Sequence, residues 1–571
     1  MLTQLRRVSA PMRFSDAVGL LLLAIAILIP SALFANWIVG RNANADASLR
    51  LGATILRFNL GALGLLVLVL PRLPIWETPT ASSTAATPPR EKIILLCLGA
   101  LLVAATALRL YRLGEGLWLD EILTDVTYVR QPLGVLLTSF EGENQHFLYS
   151  ILAYLSYQIF GASAWALRLP AVLFGVASIG ALYLVGRRVT CARETLLAAA
   201  LLTVTYQHIW FSQNARGYTG LLFWALVTSW LFLRGVEETR TRTWVLYAVA
   251  AALGMFTQFT MIFVIAGHFI LYGLYLLARR HAKWNLRWTS LFVGFGLAGF
   301  CTLLIYSLVL PQVVGGMGRE TSLVDAWKNP LWTLSELLNG IQLSFSGSVA
   351  VVGAMFVLGA GLWSYARSKP VVIGLLWLPA LLCAAVVVAL GHHLWPRFFF
   401  FEIGFAALVV VRGAVVLGEF FAGRILKWDT RKASWLGSAL GIGLVLVAAL
   451  SIPLVYGPKQ DYGGAMAFVE SEKQPGDAVA TSGVATVPLI EFYRAPWAVT
   501  DNAAALDALR ASSRRTWFVY TFPEVLRAQA PDVMQMVERE FRVVKIFYGT
   551  VGDGAVIVTR YDAVSASLDS R

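Results

Sequence analysis

Charge is what this sequence has least of. Only 14% of its 571 residues are Asp, Glu, Lys or Arg, against 58% hydrophobic. Soluble domains carry about 25% charged residues, so a large soluble enzyme is excluded. Cysteine is scarce too: Cys97, Cys191, Cys301 and Cys383 sit in or at the ends of apolar segments, and no CxxC pair occurs. That argues against a disulfide framework or a zinc site and reads as small buried thiols. The C-terminal tail has no nucleotide-binding glycine motif, and the chain shows no long-period repeat.

What the chain has in quantity is long apolar runs, and about 20 such residues span a bilayer as a helix. They predict thirteen spans, at 17–39, 51–71, 92–111, 164–186, 194–211, 218–234, 244–257, 259–278, 287–310, 347–366, 370–390, 398–415 and 435–456. The N-terminus is basic (Arg6, Arg7, Arg13) ahead of the first run, which reads as a retained signal anchor with a cytoplasmic N-terminus. A Pro-, Thr-, Ser- and Ala-rich linker occupies 72–91. With that start, the inner loops carry Arg187/Arg188/Arg193, Arg234/Arg240/Arg242, Arg279/Arg280/Lys283/Arg287, Arg367/Lys369 and Arg424/Lys427/Arg431/Lys432. Every second loop is basic, as positive-inside placement requires, provided the short apolar segment 147–160 does not cross. Its aromatics, Phe147, Tyr149, Tyr154, Tyr157 and Phe160, suit an interfacial helix. Much of the formal charge of +13 is then topology, and no nucleic-acid partner is needed to explain it.

Beyond residue 458 the composition changes. Pro475-Gly476-Asp477 is a turn signal. Strands are expected at 478–482, 517–522, 541–547 and 555–561, with helices at 465–472, 503–511 and 531–539. That alternation predicts a small α/β domain, placed outside the membrane by span parity.

Four polar features fall on the predicted outer face. Asp120 and Glu121 form an acidic pair where the third span ends. A carboxylate there can take a proton from an acceptor as it attacks a sugar carbon; Asp120 can also cap a helix starting at Ile122. Glu121 is placed beside it as a tuning or positioning group. Arg216, in Gln213-Asn-Ala-Arg-Gly-Tyr218, and Arg397, in Trp395-Pro-Arg-Phe, stand outside against the inside-positive bias. Each can grip a phosphate with a guanidinium fork or anchor at the interface. Glu143 and His146, spaced i, i+3, can converge on a metal or on a polar group of a substrate, or simply open a helix. His392-His393 is a poor metal pair because neighbours do not share a helix face. Together the acidic pair and two arginines fit a phosphate-bearing substrate with an apolar tail.

The order of Leu-Trp-Leu-Asp-Glu at 117–121, Phe-Gly-Ala-Ser-Ala-Trp-Ala-Leu-Arg168-Leu-Pro at 160–170, Ser-Gln-Asn-Ala-Arg216-Gly-Tyr218 and Pro396-Arg397-Phe resembles the C-superfamily of membrane glycosyltransferases, in its protein O-mannosyltransferase and aminoarabinose-transferase-like branch. The likeness runs from about 92 to 456. It implies a polytopic α-helical bundle with two extra N-terminal helices and a linker over 1–91, a catalytic core over 92–457 with its first outer loop at 112–163, and an extracytoplasmic α/β domain over 458–571. It also implies transfer of a sugar from a polyprenyl-phosphate donor, at the outer face of a bacterial inner membrane, to a lipid, glycan or protein acceptor. Asp120 would be the base of an inverting displacement. Arg216 and Arg397, with Tyr218, Glu143 and His146 near them, would bind substrate. Relatives often have His-Pro-Pro-Leu-Tyr-Tyr where this chain has Gln145-His146-Phe-Leu-Tyr-Ser150, a departure that touches His146 and any divalent metal carried over from them. The competing classes are a lipid-linked glycan flippase and an inactive assembly factor. Nearly charge-free span interiors and absent half-repeats oppose a transporter.

Overall fold

The computed structural model describes residues 13–39, 47–73, 89–142, 144–238, 240–278, 287–316, 348–552 and 554–562, with isolated positions between 324 and 335. Glu143, Arg6, Arg7, Arg279, Arg280, Lys283 and most of the 72–91 linker lie outside the described residues.

Among these residues, nine helices are long and apolar enough to cross a membrane, and a bent pair makes up to ten. Three further expected spans are helical but differ from the nine: Ala192–Val204 is followed by a separate helix, Tyr206–Ser212, Thr241–Thr257 has 17 residues, and Ser348–Ser368 has 21. The first expected span, 17–39, is not one helix. Phe14–Leu28 and Ser31–Val39 meet at 98°. Pro30 explains the break: it offers no N–H, and it pushes Ile29 into an extended conformation (φ −92°, ψ 115°). The first piece packs against Ala47–Val69 where Gly19 and Gly64 face each other; a Cβ on either would meet the other's carbonyl oxygen at 2.9 or 2.8 Å.

The 194–211 span breaks at Thr205 for a different reason. Arg109, fully buried at the end of helix Pro89–Leu110, donates to the carbonyls of Leu202 and Thr203 and contacts His208 Nδ1 at 2.6 Å. A cation there satisfies the last carbonyls of Ala192–Val204, and the chain restarts as a new helix.

Helices 164–189, 218–237 and 396–425 form the buried centre, while 47–72, 89–110 and 288–306 are largely exposed. The outward apolar surface of the latter suits a lipid solvent. Phe147–Phe160, at 14 residues too short to cross, folds back on the start of 164–189: Tyr149 OH and Ser156 Oγ donate to the Leu167 and Ala166 carbonyls.

The tail folds as a five-stranded sheet ordered β2-β1-β3-β5-β4, with β1 Ala478–Thr481, β2 Ala498–Val499, β3 Arg515–Thr521, β4 Arg542–Phe547 and β5 Val556–Asp562. β1 runs parallel to β2 and β3, and β5 pairs antiparallel with β3 and β4. β2 and helix Pro523–Gln529 were not expected; two residues are too few to show an alternation. The domain does not hang free. Tyr462, Val469, Leu489 and Trp517 share one apolar core with Leu117, Ile122, Tyr149 and Leu167.

Candidate active site

Helix Pro89–Leu110, the third expected span, gives way to a turn through residues 111–118 and a short helix, Leu119–Thr124. Its N-cap is Trp118, so Asp120 is not the cap; the cap N–H is instead accepted by Glu121 Oε2 at 3.4 Å. Asp120 points to the arginines singled out in the sequence. Arg397 Nη1 donates to its Oδ2 at 3.0 Å, and Arg216 Nη2 lies 3.9 Å from the same oxygen. These three residues are far apart in the chain and meet at one carboxylate that keeps partial exposure (17%).

Each arginine has its own support. Arg216, 3% exposed, donates to the backbone carbonyl and side-chain oxygen of Asn144 and lies over the Tyr218 ring at 5.9 Å. Arg397 opens the helical stretch Pro396–Glu402 and lies over Trp395 at 4.6 Å. Tyr218 is buried among His146, Phe211 and Phe400, so it supports Arg216 from beneath and presents no surface of its own to a ligand. His146 is buried as well, with Nδ1 accepting from the Gly217 N–H at 2.9 Å. Burial, then the Arg216 and Arg397 charges, push its pKa well below the usual value, so the ring is neutral. It shapes the 216–218 turn.

Glu121 has a different place from its neighbour. It is fully buried, and Arg168 grips it with two bonds, Nε to Oε1 at 2.7 Å and Nη2 to Oε2 at 2.6 Å. The Ala215 N–H donates to Oε1 at 2.7 Å, and Lys459 Nζ lies 3.5 Å from it. Burial alone would raise its pKa, but Arg168 and Lys459 outweigh that and hold it down at about 2. A carboxylate so enclosed cannot accept a substrate proton; it holds the helix that carries Asp120. Arg168 completes the frame by donating to the carbonyls of Leu113, Glu115 and Gly116.

Arg168 lies within one of the motifs but has no role that the sequence alone assigns, and neither do Asn144, Lys459 and Gln460. Their signal was weak: a polar residue beside Glu143, and a Lys-Gln pair just after the last span. Among the described residues no group of three or more His, Cys, Asp or Glu could hold a metal. A cavity of about 620 Å³ on the α/β domain is lined by Glu470, Lys473, Asp477, Trp497 and others, and by none of the site residues above.

Residues 145–306 match the sequence model of the dolichyl-phosphate-mannose-protein mannosyltransferase family. That similarity covers less than a third of the chain. Similar solved structures include ArnT of Cupriavidus metallidurans bound to undecaprenyl phosphate, at 13% identity and TM-score 0.40, covering 83% of this chain and 98% of that one. Another is the Archaeoglobus fulgidus oligosaccharyltransferase AglB with an inhibitory peptide and dolichol-phosphate, at 12% identity and TM-score 0.43, covering 82% and 74%. The arabinosyltransferase EmbB of Mycobacterium smegmatis follows at 13% and 0.43, covering 71% and 45%. No curated protein matches by sequence. The matched segment contains His146, Arg168, Arg216 and Tyr218, and stops short of Arg397 and Lys459.

Proposed function

We propose that this protein transfers a sugar from a polyprenyl-phosphate donor to an acceptor at the outer face of a bacterial inner membrane, in one inverting displacement with Asp120 as general base. The observation that carries this is the meeting of Asp120 with Arg397 and Arg216 at 3.0 and 3.9 Å. The family match over 145–306 supports the reaction class.

Asp120 takes the proton from the acceptor's hydroxyl or amine as that atom bonds to the anomeric carbon. The bond from carbon to the phosphate oxygen breaks, and polyprenyl phosphate leaves with the electron pair. Its charge is met by the two guanidiniums, which suit phosphate oxygens in geometry and charge. A donor phosphate would compete with the Asp120 carboxylate for the same guanidiniums, so donor binding and release of the base are coupled. Arg216 is held in place by Asn144 and Tyr218.

The test is mass spectrometry of envelope glycans and lipids from cells carrying Asp120→Asn, beside thermal shift of the purified protein with undecaprenyl phosphate. Asn should lower product by about 10²- to 10⁴-fold and leave the lipid-phosphate shift in place. Arg397→Ala should diminish that shift. Product at the wild-type level from Asp120→Asn would remove Asp120 as the base.

A further inference from the structure

Lys459 sits in the connector between the last membrane helix and the α/β domain, yet its ammonium ends at Glu121, 338 positions away in the chain. It lies 3.5 Å from Glu121 Oε1, donates to the Gln213 carbonyl, and stands over the Trp210 ring at 5.3 Å. One cation thus bridges the helix that carries Asp120 and the turn that carries Arg216. The next residue extends the bridge. Gln460 Oε1 accepts the Leu119 N–H at 2.9 Å, and its amide donates to the Gly554 carbonyl at 2.7 Å and to Thr521 Oγ1 at 3.1 Å. Trp210 is tied in as well, donating to Thr550 Oγ1 at 2.9 Å.

The need of Glu121 for a partner does not explain this lysine. Glu121 already has a two-bond partner in Arg168 and a backbone N–H from Ala215. Two cations face one carboxylate, so the cluster holds an uncompensated positive charge away from water, which is costly. Burial first, and the Arg168 charge second, pull the Lys459 pKa down to about 7 against the attraction of Glu121. Removing the ammonium would leave Glu121 still paired.

We propose that Lys459 is a positioning residue for the transfer reaction, tying the Glu121 carboxylate to the Gln213 carbonyl so that Asp120 and Arg216 keep their spacing. The α/β domain is then a working part of the membrane-embedded site. The role in turnover rests on Asp120 acting as the base.

Lys459→Met and Lys459→Arg in the full-length protein test this, with Asp120→Asn alongside. For Met, product should fall at least about tenfold and amide exchange over 119–124 and 213–216 should rise. Its thermal midpoint at about pH 6, below the lysine's pKa of about 7, should be no lower than wild type. Its response to undecaprenyl phosphate should persist. Arg, which keeps the charge, should restore most of the product. Wild-type product from Met while Asp120→Asn is dead would overturn the proposal. So would unchanged exchange over the two segments, or a lowered midpoint with no lipid-phosphate response, which marks a purely structural role. If Asp120→Asn also keeps product, the reading of the base fails, and the exchange data still decide whether Lys459 holds the two segments.

Discussion

The two ends of helix Ala164–Val189 carry arginines that do opposite work. Near the start, Arg168 is 3% exposed and grips the fully buried Glu121. At the end, about 30 Å away along the axis, Arg188 is 26% exposed and pairs with Glu237 and Glu238, themselves 42% and 30% exposed. Composition treats the two alike. The difference is water: a carboxylate with none must be matched by protein charge, whereas one at the surface is matched by solvent whether or not an arginine is near. The Asp120 end holds the buried cluster of Glu121, Arg168 and Lys459, with Arg216 and Arg397 converging beside it. The other end holds partly exposed pairs such as Arg193–Glu419 and Arg234–Glu238.

The comparison breaks most readily at Arg168. Arg168→Met takes the two-bond guanidinium from Glu121, leaving it Lys459 and backbone N–H donors, and frees three loop carbonyls; it should cost about 3–5 kcal/mol, seen as a large fall in the thermal midpoint of the purified protein. The same change at Arg188 should cost far less. Equal losses at the two sites would mean that burial is not what separates the two ends.

Acid should separate them next. Glu121 is held at about 2, below its ordinary value of 4.5. A folded-state value below the unfolded one gives stability that is complete above 4.5 and is lost as pH falls toward 2. The thermal midpoint should therefore drop between about pH 4.5 and pH 3. Glu121→Gln, which removes the titration, should start lower and show a flatter profile over that window. An identical slope in both proteins would place the acid sensitivity elsewhere.

How far these features were legible in the sequence follows from the range of the signal each depends on. Apolar runs and basic loops are local, so helices such as Met261–Ala278 and Pro370–Ala389 were found near their observed bounds. Asp120, Arg216 and Arg397 stood out because each interrupts an apolar run or defies the charge bias. Their meeting was an inference from chemistry, since nothing in the spacing sets a distance of 3.0 Å. Lys459 could not be found that way. Its partner is 338 residues distant, and a lysine after a last span looks like any interfacial anchor. Glu121 and Asp120 are adjacent, yet which one is left open depends on Arg168 arriving from helix Ala164–Val189. The bend at Pro30 was local and was overridden by the apolar run around it, whereas the break at Thr205 has no proline and depends on Arg109 from another helix.

The smallest expected effect is the sharpest check on the opposite end. Arg188→Gln removes two partly exposed ion pairs, and pairs open to solvent contribute about 0–1 kcal/mol each, less with salt. The midpoint should shift by a degree or two at low ionic strength, and the difference from wild type should vanish near 0.5 M salt, where the screening length is only about 4 Å. The Arg168 variant should keep its full deficit at that salt, because a buried pair is screened far less than a surface one. A salt-insensitive loss at Arg188 would show that its pairs are closed off from solvent, by lipid or by a partner, and that the two ends of the helix are more alike than their exposures imply.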